Sequence, residues 1–139
     1  MPIYASQFNR LGKNIEKGIN NVVKAVGVAV SGTVVKATPV LTGRARSNWI
    51  VTLGSPSVRT VPTYGPGTTA IAGALAQGRG VIAGRQLGQS IHVTNNLPYI
   101  GVLNTGTSTQ AASGFIETAI QAGVFVAASQ AAGIIRRSL

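Results

Sequence analysis

The chain has no cysteine and no aspartate, and its acids are two glutamates, Glu16 and Glu117. Without cysteine there is neither a disulfide framework nor thiol chemistry. Paired carboxylates for general acid–base work need two acids close together, and these two fall on the polar sides of different helical stretches. A single histidine, His92, has no Asp for a triad and no Cys or second His for a metal site. The glycine cluster Gly78-Arg79-Gly80 to Gly84 lacks the Lys-Ser/Thr of a phosphate-binding loop and misses the dinucleotide spacing, so it reads as a flexible loop. No catalytic group, cofactor or metal is expected, and the chain does not read as an enzyme. Charge is scarce too: 10% of residues are charged and 5% aromatic. That is little charge for an independent soluble monomer and points to a surface covered by copies of itself or by neighbours.

Membrane segments are not expected. The N-terminal MPIYASQFNR has no apolar core of the signal-peptide kind. Lys24 and Lys36 leave only 11 uncharged residues between them in the first helical stretch. Thr118 to Ile135 is an uncharged run of 18 residues, the lower limit for a span. Gln121, Ser129, Gln130 and many alanines make it weakly hydrophobic, which suits a helix buried against a sheet or a sister subunit.

What the chain has is positive charge. Twelve Lys and Arg against two acids give +10 over 139 residues, so a free monomer repels itself and an acidic partner is expected. DNA, an acidic protein surface and an anionic membrane are the three classes. The length is that of one domain, 1–139.

Within it, 1–37 reads as a long helix, because Phe8, Leu11, Ile15, Ile19, Val22, Val26, Val30 and Thr33 recur at threes and fours. Pro39 ends it. Gly12, Gly18, Gly27 and Gly32 leave two readings open: one long helix whose excess length packs on another chain, or two helices split at a glycine. Residues 38–53 read as a turn and a strand, Arg44 to Leu53, in which Trp49, Val51 and Leu53 share one face while Asn48, Ile50 and Thr52 share the other. The stretch 54–88 is a glycine-rich loop followed by a weak helix from Gly67 to about Val81, and is the part expected to be most mobile. In 89–113 a strand, Gln89–Asn95, stops at Asn95, Asn96 and Pro98 and leads into a Gly-Thr loop. Ser113 is the expected N-cap of a last helix, 114–139, with Ile116, Ile120, Val124, Ala127, Ala131 and Ile134 along one side. Glu117 at its start and Arg136 and Arg137 at its end suit the helix dipole. The fold class is α+β: a long N-terminal helix and a C-terminal helix packed on a small antiparallel sheet.

Binding residues are sought among the cations. Arg44 and Arg46 beside Trp49 form a basic edge with an aromatic, able to grip phosphate and stack; the plainer reading is a core tryptophan with arginines in solvent. Arg79 and Arg85 lie in the glycine-rich middle, and Arg136 and Arg137 either contact a partner or only complement their helix end. A small basic nucleic-acid-binding protein acting as monomer or dimer is one function these residues allow.

Two blocks of the sequence resemble the tail-completion or neck proteins of tailed bacteriophages, the head–tail connector group that includes minor tail protein Z-like chains. TPVLTGRARSNWIV, Thr38 to Val51, is similar to that family's Thr-Pro-Val-x-Thr-Gly-x-x-Arg motif after a long helix. VTNNLPYIGVLNTGTSTQAASGFI, Val93 to Ile116, resembles its strand–Asn–Pro-Tyr unit, Gly-Thr/Ser loop and Gln-Ala-x-x-Gly approach to the last helix. Order and spacing agree across roughly Phe8 to Gly123, with the middle third loose. One departure is Leu103-Asn104-Thr105, where the family commonly has a glutamate before the loop glycine. The resemblance implies a structural virion protein, made in the host cytoplasm and located at the head–tail junction. It implies a homo-oligomeric ring, of six or twelve copies, between connector or adaptor proteins and tail-terminator or tail-tube proteins, with non-specific contact to the DNA passing through.

Overall fold

A computed structural model describes residues 3–39, 43–107 and 112–139. The fold is α+β, with a long N-terminal helix, a C-terminal helix packed along it, and a two-stranded antiparallel sheet. Residues 40–42 of the first family-like block, and 108–111 of the second, lie outside the described residues.

Helix α1, Ile3–Ala37, is continuous over 35 residues. Of the two readings of its glycines, the single helix is the one observed. Two of those glycines serve close approach. A Cβ at Gly27 would sit 2.8 Å from Ile91 Cδ1, and one at Gly18 would sit 3.2 Å from Ser138. The helix ends where Thr38 Oγ1 donates to Val34 O at 2.6 Å and Pro39 removes the next donor.

The expected strand from Arg44 begins later. Arg44–Ser47 forms a helical turn, α2, and only Ile50–Leu53 forms the strand β1. Alternation misleads here because Gly43, in left-handed backbone at φ 79°, starts a turn that polar side chains then close. Ser47 Oγ donates to Gly43 O at 2.7 Å, and Asn48 Nδ2 donates to Arg44 O at 2.8 Å. Ile50, expected on the face opposite Val51, is buried together with it.

Strand β2, Ile91–Thr94, pairs antiparallel with β1, Ile50 opposite Thr94 and Leu53 opposite Ile91. The other edge of β1 is closed by a side chain. Gln77 accepts from Val51 N at 2.9 Å and donates to Val51 O at 2.8 Å, as a third strand would. Gln77 belongs to α3, Thr68–Ala83, which runs through Gly78 and Gly80 instead of breaking there. Ala70, Ala74 and Ile82 of α3 are buried, so the glycine-rich middle supplies core. The loop before α3 is pinned to buried Asn48, which donates to Val61 O and accepts from Val61 N.

After β2 come a short helix, α4, Ile100–Val102, a wide turn, Leu103–Thr107, and the last helix, α5, Phe115–Ser138. Its N-cap is Gly114 rather than Ser113, and the missing side-chain cap is supplied from a distance. Asn104 Oδ1 accepts from Ile116 N at 3.0 Å while its Nδ2 donates to both Glu117 oxygens at 2.9 Å. That bond holds the exposed Glu117 carboxyl below its ordinary pKa, with a smaller contribution from its own backbone N–H. Asn104 thus takes the bonds to the helix end.

The packing face of α5 also differs from expectation. Buried are Phe115, Ala119, Gly123 and Ala127, whereas Ile120 and Val124 are exposed. Small residues win because α5 approaches α1 down to the backbone. A Cβ on Gly123 would lie 2.7 Å from Val30 Cα, and Thr33 Oγ1 donates to Ala119 O at 2.6 Å. Antiparallel α1 and α5 thus form the spine, and the core of Val34, Val35, Trp49, Ala74 and Ala119 gathers beside it.

Candidate functional site

Six arginines were the candidates, and the structure divides them by what their guanidinium groups already hold. Arg46 caps α1: Nε donates to Thr38 O at 2.7 Å and Nη2 to Lys36 O at 3.2 Å. These are the carbonyls a helix end leaves without partners, and a cation there is favoured by the dipole. Partial burial lowers the Arg46 pKa, though arginine stays charged. Arg85 is 8% exposed. Its Nε donates to Gln89 O at 2.9 Å, its Nη1 to Asn20 Oδ1, and Asn20 returns a bond to Arg85 O at 3.3 Å. It fastens the turn between α3 and β2 to α1, and its charge faces inward.

The aromatic half of the expected basic edge is also absent from the surface. Trp49 is buried and donates from Nε1 to Thr38 Oγ1 at 2.7 Å, so base stacking on it is ruled out.

Four of the arginines remain exposed: Arg44, Arg79, Arg136 and Arg137. Three of them are placed along α1 by their neighbours. At its C-terminal end, Arg79 and Lys36 line one cleft of about 290 Å³ with Val28, Gly32, Leu75 and Val126. Lys36 also borders a second, apolar cleft of about 480 Å³ floored by Phe115, Ala119 and Ala122. Arg46 bonds the Lys36 carbonyl, so Arg46, Lys36 and Arg79 gather at this end. Arg136 and Arg137 stand instead beside the middle of α1, next to Ser138, which touches the position of Gly18. Gly18 and Lys36 are about 27 Å apart along the α1 axis.

Lys36 is the residue that sequence reasoning missed; nothing in its local pattern separates it from other helix lysines. Lys24 donates to Ala83 O at 3.1 Å and so caps α3. His92 lies against Ser90 Oγ at 2.9 Å on the sheet. Among the described residues there is no group of three or more His, Cys, Asp or Glu able to hold a metal ion. By length and composition alone both α1 and α5 are long and apolar enough to cross a membrane.

Comparison with family models, with curated proteins and with solved structures returns no match to this chain.

Proposed function

We propose that the protein is a structural subunit of a head–tail junction in a tailed bacteriophage, a neck or tail-completion protein. Copies of it form a ring that joins connector to tail around the DNA channel. The observation that carries this reading is the pair of sequence blocks similar to that family, which meet in one core. Trp49 of the first block sits in the central cluster, and Val93, Ile100 and Ile116 of the second pack against it. Asn95 Nδ2 ties the blocks directly, donating to Ala45 O at 3.0 Å. Two further properties support a subunit over a self-sufficient monomer: a net charge of +10, and exposed large apolar side chains on both spine helices.

The test is the solution mass of the purified protein at low and high salt, alone and with DNA. A discrete ring-sized species, little changed by DNA, is the expected result. A monomer at both salts that moves onto DNA only at low salt would instead identify a small basic nucleic-acid-binding protein, the reading favoured by the charge taken alone. Partition into lipid vesicles would overturn both.

A further inference from the structure

The apolar stripe of α1 is longer than the helix it packs on. Val30 and Thr33 face α5, as the contact of Gly123 with Val30 and the bond from Thr33 to Ala119 show. The last turn of α5 ends beside Gly18, where Ser138 touches. Beyond that point α1 continues for about four turns, roughly 22 Å. Its stripe continues too. Phe8 is 71% exposed, Leu11 42%, Ile15 39% and Ile19 47%, all within about 40° of the line that meets α5. Arg10, Lys13 and Lys17 are exposed and project from the opposite side.

A second uncovered stripe lies on α5, on the flank turned away from α1. Ile120, Val124 and Ala128 fall on it, and Phe125, 76% exposed, stands at its edge, about 60° beyond Ala128. No charge interrupts α5 between Thr118 and Ile135.

We infer that the α1 overhang of one copy docks on the outer stripe of α5 in a second copy, head to tail. Area and charge both select a second copy as the occupant. Each stripe offers roughly 300–400 Å² of apolar side chain, close to the apolar share of the ~800 Å² that a stable interface buries per partner. The α5 stripe carries no cation to repel the overhang, and the overhang's own cations point away from the contact, so docking adds little to the self-repulsion of a +10 chain. Since the two stripes are different surfaces, the contact is heterologous: each copy offers one of each, and repetition gives a ring or a filament. This deepens the ring reading by naming its surface, and rests on the self-assembly that reading requires.

The native chain has no cysteine, so introduced thiols report cleanly. L11C and V124C, each exposed, are made in separate chains, mixed and oxidised. Within one chain these positions cannot meet: Val124 neighbours Gly123, which abuts Val30, and Leu11 lies about 28 Å farther along α1, beyond disulfide reach of ~7 Å. The expected product is a mixed disulfide at twice the 14.2 kDa chain mass, a ladder of higher multiples from the L11C/V124C double variant, and loss of both when Phe8→Asp is added. A native protein that is oligomeric by mass but yields no mixed disulfide overturns the inference and leaves the ring standing. Mixed disulfides with only open filaments in electron micrographs uphold the inference and sink the ring. Self-linked L11C dimers alone, a native chain that stays monomeric up to millimolar concentration, or a monomer that instead binds anionic phosphatidylglycerol vesicles through Phe8 each overturn the inference.

Discussion

Thr38 shows how one hydroxyl ties three elements together. Its Oγ1 donates to Val34 O, closing α1, and accepts from Trp49 Nε1, while its carbonyl accepts from Arg46 Nε. Thr38 has no exposed surface, so Thr38→Val keeps shape and apolar packing but leaves the indole N–H without an acceptor in a dry site. A buried donor stripped of its partner costs about 1–3 kcal/mol. The expected outcome is a lower denaturant midpoint by that amount with an unchanged slope. Trp49, the only tryptophan, reports it: its fluorescence in the folded variant shifts as the N–H is released. Thr38→Ser, which retains the hydroxyl, is expected to recover most of the loss.

Among the elements, what could be read in the sequence was periodicity, and what could not was which atoms fill the contacts. The 3.6-residue stripe of α1 placed the long helix, and Pro39 placed its end. Alternation found Ile50–Leu53 and Ile91–Thr94 but could not see that Ser47 and Asn48 would turn the residues before them into a helix. On α5 the spacing of Ile116, Ile120 and Val124 predicts a packing face of large apolar residues. The structure instead buries alanine and glycine, because α1 comes so close that only small residues fit. Hydrophobicity marks apolar stripes; it does not say which of two stripes is covered by the same chain. The candidate site was legible only as a list of cations, since the partners that occupy Arg46 and Arg85 come from segments far from the local pattern. The close approach gives a direct test. In a helix, Gly→Ala ordinarily gains up to about 1 kcal/mol, and Gly12→Ala, with nothing within 4 Å of the new methyl, is expected to show that gain in the unfolding midpoint and in helical circular dichroism. Gly123→Ala meets Val30 Cα at 2.7 Å and Val30 N at 2.9 Å, backbone atoms that cannot swing aside. It is expected to cost about 1–3 kcal/mol despite its better helix propensity.

At the scale of the whole molecule, the uncompensated charge separates cations that build the fold from cations that can meet DNA. Arg85 and Arg79 both stand in the glycine-rich middle six residues apart, and no property of the sequence distinguishes them. Their surroundings do. The Arg85 guanidinium is bonded to Gln89 and Asn20, so Arg85→Gln breaks a latch between α1 and the α3–β2 turn, at about 1–3 kcal/mol of stability. The Arg79 guanidinium stands exposed over the cleft it shares with Lys36, where a phosphate can reach both. If DNA passes that surface, binding weakens with salt, because each neutralised phosphate releases condensed counterions; the slope of log K against log salt is about −0.9 per contact on duplex DNA. Arg79→Gln is expected to make that slope shallower by about 1 while leaving the unfolding midpoint unchanged. Arg85→Gln is expected to do the reverse, lowering the midpoint and leaving the slope alone. Fluorescence anisotropy of a labelled duplex across a salt series, beside denaturant unfolding of the same two variants, measures both quantities. Equal slopes for native protein and Arg79→Gln would remove Arg79 from the DNA-facing surface.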